Sequence, residues 1–191
     1  MSDTASTLNP PHAIPALLQQ LQQAQPQAQI AVLHFTPDQA SIGMARKGVP
    51  VHIEHFPQLS LDALTRACFA GPGPTAQQLE QAIELIEDDI QPARLDLRQF
   101  LVFASGPQAA RLKQWIAHSS GHDSHALSLE QVESAFNLYA DATVGAAAAG
   151  LAAQAGPDSP LKDTQLGAYL LLLRECLHHL HITHIQLLCE H

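Results

Sequence analysis

Residues 30–56 read IAVLHFTPDQASIGMARKGVPVHIEHF. Three short runs of strand formers stand in that stretch. Ile30–Phe35 is compact and mostly apolar. Ala40–Arg46 alternates. Val51–Phe56 alternates again, with Val51, Ile53 and His55 on one face and His52 and Glu54 on the other. Between the second and third runs lies Lys47-Gly48, whose glycine can take the positive φ of a tight turn. Links this short join antiparallel neighbours, because a parallel pair needs a crossover of a dozen or more residues. The stretch predicts a three-strand antiparallel meander.

Upstream, residues 1–28 read as a polar tail, disordered over 1–11, and a short amphipathic helix. Its apolar stripe is Ile14, Leu17, Leu18 and Leu21, its other face is glutamine, and Pro26 closes it. Downstream, helix-period segments alternate with strands. Ser60 is placed to cap a helix carrying Leu61, Leu64 and Cys68. Thr75 and Gln78 form a capping box before Leu79, Ile83, Ile86 and Ile90. Phe100–Ala104 (FLVFA) suits a fully buried strand, and Ser105-Gly106-Pro107 is a strand-to-helix turn. Ala126-Leu127 predicts a short strand, and Ser128 with Gln131 a second capping box. Asp163 or Thr164 opens a leucine-rich helix, and Ile182–Leu188 reads as a last strand.

These elements divide the chain into a leader (1–28), an α/β domain (29–145), an alanine-rich helix or linker (146–160) and a C-terminal helix and strand (161–191) packed on the same domain. The order, three meander strands followed by helix-connected strands expected to run parallel, is that of a ribonuclease H-like mixed sheet with helices on its faces.

Composition narrows the function classes. Of 191 residues, 9 are Lys or Arg and 18 are Asp or Glu, a formal net charge of −9. Such a chain lacks the basic surface that neutralises phosphates, so nucleic acid and anionic membranes are excluded as general partners. Three widely spaced cysteines, Cys68, Cys176 and Cys189, form neither a disulfide framework nor a metal knuckle. With no basic-then-apolar leader at the N-terminus, a cytoplasmic protein is expected.

Read in order, the residues resemble the N-terminal domain of the exopolyphosphatase / guanosine-pentaphosphate phosphatase family. The likeness runs from about Gln29 to Ala142. The segment His34-Phe35-Thr36-Pro37-Asp38-Gln39-Ala40-Ser41 stands where that family has a phosphate loop between its first two strands. Phe100–Arg111 (FLVFASGPQAAR) matches its next strand-turn-helix, and Gly121–Ala135 the strand that enters a helix with a catalytic glutamate. The resemblance implies catalytic roles for Glu133 or Gln131, phosphate contacts at Asp38 and Ser41, and Mg²⁺ held by Asp38. Ser105 and Gly106, at a helix N-terminus, are a further anion position. The departures are specific. His34 replaces the metal-binding aspartate. Thr36 and Pro37 fill a loop that works through glycine-spaced N–H groups. Glutamine is no general base, and the alanine-rich Gly145–Gly150 stands where a second phosphate loop would be.

Histidine is dense at the C-terminus, where His178, His181, His184 and Cys189 are candidate ligands for zinc or nickel. The alternative is structural, because histidine is favoured at a helix C-terminus. The acidic run Glu84, Glu87, Asp88, Asp89 reads as a solvated face, with a cation or basic-partner site as its alternative. Nucleophilic catalysis has no motif. The expectation is therefore a non-catalytic interaction or regulatory module with a protein partner or a second copy of itself, docked through the alanine-rich segment and the leucine helix. A phosphohydrolase acting on polyphosphate or nucleotide phosphates, or a transition-metal binder, are the alternatives.

Overall fold

The meander forms, and the rest of the sheet grows from its first strand. In the computed structural model, which describes residues 10–69, 74–120, 126–143 and 163–188, the elements run α1 (Pro10–Ala24), β1 (Gln29–Phe35), β2 (Ala40–Arg46), β3 (Val49–Phe56), α2 (Leu61–Cys68) and α3 (Ala76–Ile90). Then follow β4 (Phe100–Ser105), α4 (Pro107–Ser120), β5 (Ala126–Ser128), α5 (Leu129–Thr143), α6 (Thr164–His179) and β6 (His184–Leu187). The six strands make one sheet in the order β3-β2-β1-β4-β6-β5. The pairs β1–β2 and β2–β3 are antiparallel, β1–β4 and β4–β6 parallel, and β5–β6 antiparallel. This is the expected mixed α/β sheet.

Four details differ from the expectation. The strand beside β4 is β6, from the C-terminal segment, whereas Ala126–Ser128 is an antiparallel edge strand. The interior place goes to the segment that turns two buried residues, Ile185 and Leu187, toward the main core, whereas the three residues of the edge strand supply only Leu127. The third strand begins at Val49, directly after the Gly48 turn with φ +74°. Helix α1 starts at Pro10, inside the stretch expected to be disordered, and proline is well suited to a first helical position. The leucine helix α6 is not a surface. Leu166, Leu170, Leu171, Leu172, Leu173 and Leu177 are all buried, so it is the central helix of the core and cannot be a docking face. The alanine-rich segment, the other expected docking element, lies outside the described residues.

The caps form as the sequence predicts. Ser60 accepts from Ala63 N, Thr75 and Gln78 close a capping box, Ser128 and Gln131 close another, and Asp163 accepts from Gln165 N and Leu166 N. Strand parity then sorts side chains between the two faces of the sheet. Ala31, Leu33 and Phe35 of β1, with Ile42 of β2 and Val102 of β4, join the main core under α2, α3, α5 and α6. Ile30, Val32, Ala45 and Phe103 point the other way, where Ile14 and Leu18 of α1 cover them. Gly43 lets α1 sit that close. A Cβ there would fall 2.4 Å from Ile14 Cγ2 and 2.9 Å from Leu18 Cδ1. No helix among the described residues is long and apolar enough to cross a membrane.

Candidate functional site

Strands β1, β4 and β6 run parallel, so their C-terminal ends lie together, and in open α/β sheets ligands collect at that edge. Residues on the α1 face of the sheet build a polar row there. His34 on β1 is in register with Ser41 on β2 and with Ser105 on β4, and Ser41 is in turn opposite His55 on β3. His34 Nδ1 lies 2.8 Å from Ser105 Oγ, and Ser41 Oγ lies 2.8 Å from His55 Nδ1. Gln39 Nε2 donates to Ser41 Oγ at 2.9 Å and lies 2.8 Å from His55 Nδ1. Ser41 and Ser105 are fully buried and His34 nearly so. Buried polar groups must find partners, and this row supplies them across four strands.

The β1–β2 turn is closed on itself. Thr36 N donates to Gln39 O at 2.8 Å, Gln39 N donates to Thr36 Oγ1 at 3.1 Å, and Thr36 Oγ1 donates to Asp38 Oδ1 at 2.8 Å. Two carbonyls of the turn, Thr36 O and Pro37 O, accept from Leu61 N and Asp62 N at the start of α2. The proline has no N–H to offer. Gly106, after β4, has φ +109°, and a Cβ there would stand 2.8 Å from Phe35 O, so the strand-to-helix turn demands glycine.

The residues expected to act together are not brought together. Ser128 pairs with His184 at the N-terminal end of β6, so α5 begins at the opposite end of the sheet from Asp38. The seven residues of β1 separate the two ends by roughly 20 Å. Gln131 is spent in the capping box, and Glu133 Oε1 lies 2.8 Å from His178 Nε2. Nor do the donors beside Asp38 fit Mg²⁺, which wants several oxygen ligands in octahedral array. Of the histidines at this edge, His34 is bonded to Ser105 and His55 lies against Ser41 and Gln39, and Asp38 accepts the Thr36 hydroxyl.

The C-terminal histidines also separate. His178 turns to α5. His181 sits in the turn after α6 with φ +58°. His184 Nδ1 lies 3.1 Å from Thr183 Oγ1 at the start of β6, and Cys189 lies outside the described residues. The structure gathers a different set. Glu87 of α3 meets Glu175 and His179 of α6, with their ligand atoms all within 4.8 Å of one another. Its signal in the sequence was the i, i+4 spacing of Glu175 and His179, which puts both on one helix face. Glu87 lies far away in the chain, within the acidic run already singled out. Cys68 and Cys176 are free and buried, and burial pushes both thiols up, Cys176 the more, away from nucleophilic or ligand chemistry.

No family model matches the sequence, nor does any curated protein. Solved structures do match. An Aquifex aeolicus member of the Ppx/GppA family superposes with TM-score 0.70 at 13% identity, over 90% of this chain and 55% of that one. A Cytophaga hutchinsonii exopolyphosphatase gives TM-score 0.67 at 13% identity, over 91% and 58%. An exopolyphosphatase-like protein gives 0.62 at 14%, over 95% and 57%. Over at least nine-tenths of its length the chain has the fold of these Ppx/GppA-type structures, and it spans 55–58% of theirs.

Proposed function

We propose that the chain is a non-catalytic interaction or regulatory module built on a phosphatase-type domain. The observation that carries this reading is the closed β1–β2 turn. In a phosphate loop the backbone N–H groups converge on the anion. Here Thr36 N and Gln39 N are both spent inside the turn, and Pro37 has none. Recognition then falls to a protein partner or a second copy of the chain. Val49 and Val51 on β3, at one edge of the sheet among the described residues, are 56% and 45% exposed and supply apolar surface there. A cytoplasmic location belongs to the same proposal, since free buried thiols suit a reducing compartment.

The likeness to exopolyphosphatase structures favours a phosphohydrolase as the second reading. It needs Glu133 and Asp38 to work on one substrate from opposite ends of the sheet. The decisive experiment incubates the protein with polyphosphate, ATP or guanosine tetraphosphate and Mg²⁺ and follows phosphate release, beside Glu133→Gln. No release above the buffer blank is expected. Release that Glu133→Gln abolishes overturns the non-catalytic reading.

A further inference from the structure

The cluster between α3 and α6 does something the sheet edge does not: it converges three ligand atoms of mixed type on one point. We propose that Glu87, Glu175 and His179 form a binding site for a divalent transition-metal ion, zinc before the others, independent of the strand-end site and of any hydrolytic activity.

Geometry is the first support. His179 Nε2 lies 3.0 Å from Glu87 Oε1 and 3.7 Å from Glu175 Oε2. Ligand atoms bound tetrahedrally at about 2.0–2.2 Å from zinc stand about 3.3–3.6 Å apart. The two observed separations bracket that value, and all three ligand atoms lie within 4.8 Å of one another, so side-chain adjustment would bring them to three vertices of the tetrahedron. The fourth vertex is left for water.

Burial and charge are the second. Glu175 is 3% exposed, in the C-terminal half of α6 just after its run of buried leucines. Its Oε1 takes the Arg174 guanidinium, while its Oε2 lies 3.7 Å from His179 Nε2. With Glu87 there are two carboxylates against one guanidinium, an excess of negative charge that favours a cation between them. The Arg174 contact fixes the orientation of Glu175, as outer partners of ligating carboxylates do. Two carboxylates and an imidazole select zinc, manganese, iron or nickel over calcium and magnesium, which prefer oxygen alone. An ion held there would pin α3 to α6 across the main core.

The test uses tag-free, chelator-washed full-length protein and follows both thermal stability and calorimetric titration with ZnCl₂, MnCl₂ and MgCl₂. A native-state ligand raises the melting temperature according to its concentration over Kd. Zinc should bind one ion per chain and raise the melting temperature, and magnesium should do neither. Glu87→Gln keeps the side-chain volume, and His179→Ala removes the imidazole. Each should weaken zinc at least about tenfold. His178→Ala and the His181→Ala/His184→Ala double variant should leave the affinity unchanged. Far-UV circular dichroism confirms that each variant is folded. If zinc fails to bind, or binds as tightly after His179→Ala and Glu87→Gln, or is lost on changing His178 or the His181/His184 pair, the assignment is overturned. In the first case His179 is a hydrogen-bond partner of Glu87 and nothing more. In the others the C-terminal histidines are the site.

Discussion

Gly167 lies in the first turns of α6, where that helix crosses Tyr139 of α5. A Cβ at position 167 would fall 2.2 Å from Tyr139 Cζ, 2.3 Å from its hydroxyl oxygen and 2.4 Å from Cε1. The ring is 1% exposed and leans on Phe69 with centroids 6.4 Å apart, so it has no free direction in which to swing. Either the ring leaves its rotamer or α6 backs away from α5. Overpacking of this kind costs about 1–3 kcal/mol, and three contacts this short put Gly167→Ala at the upper end. Alanine returns about 1 kcal/mol of helix propensity. The net loss is therefore about 2 kcal/mol, or roughly 4–8 °C in melting temperature for a chain of this size. Urea unfolding followed by far-UV circular dichroism measures it. The same substitution in a Tyr139→Leu background should cost much less, since the opposing atoms are gone and the two sites share one contact. If Gly167→Ala is neutral or stabilising in the otherwise unchanged protein, propensity has won, and α6 does not approach α5 this closely.

Two further outcomes follow from buried polar atoms. Ser105→Ala strips His34 Nδ1 of its 2.8 Å partner inside the sheet and should lower stability by about 1–3 kcal/mol, read in the same urea assay; an unchanged midpoint would show that the bond does not form. Tyr169 is fully buried, its hydroxyl has no hydrogen-bond partner among the described residues, and burial above all, with the neighbouring Cys176, pushes its ionisation up. Tyr139 and Cys176 are pushed up too, mainly by burial. The unfolded chain releases these protons near pH 10 for tyrosine and about 8.5 for cysteine, whereas the folded chain keeps them. Their contribution is thus complete below about pH 8 and is lost as pH rises, by up to about 1.4 kcal/mol per pH unit for each group once it ionises in the unfolded chain. Tyr169→Phe should match or exceed the stability of the parent at pH 7 and should flatten the decline above pH 10. An identical alkaline slope in the two proteins would refute this.

The meander, the caps and the strand-turn-helix at Phe100–Arg111 were legible because each is written within a few residues. A period-2 run, a Gly48 turn or a Thr75–Gln78 box needs no knowledge of the rest of the chain. The place of β6 was not legible. Nothing local distinguishes a strand that pairs with β4 from one that pairs elsewhere, and between Ala126–Ser128 and His184–Leu187 it is the segment bringing two residues, Ile185 and Leu187, to the main core that takes the interior place. The burial of α6 was half visible. Its leucines recur at helical spacing, but Tyr169, Leu171 and Leu172 make it apolar on every side, the mark of a helix inside the core and not of one with a face to offer. The relation of Glu133 to Asp38 depended on the direction of β5, which only the sheet decides.

The histidines show most clearly why density in a sequence is a poor guide to a site. His178 and His179 are neighbours on α6, and neighbours on an α-helix point about 100° apart. His178 therefore reaches α5 and Glu133, while His179 reaches α3 and Glu87. They cannot share an ion. Each instead joins α6 to a different helix through a single carboxylate, at 2.8 and 3.0 Å. What separates the two is the residue one turn earlier. Four positions before His179 stands Glu175, on the same face and buried, whereas four before His178 stands Arg174. A cation already occupies that position beside His178, and a carboxylate occupies it beside His179. The same helical turn thus makes one histidine a hydrogen-bond partner of a single carboxylate and gives the other two carboxylates as neighbours.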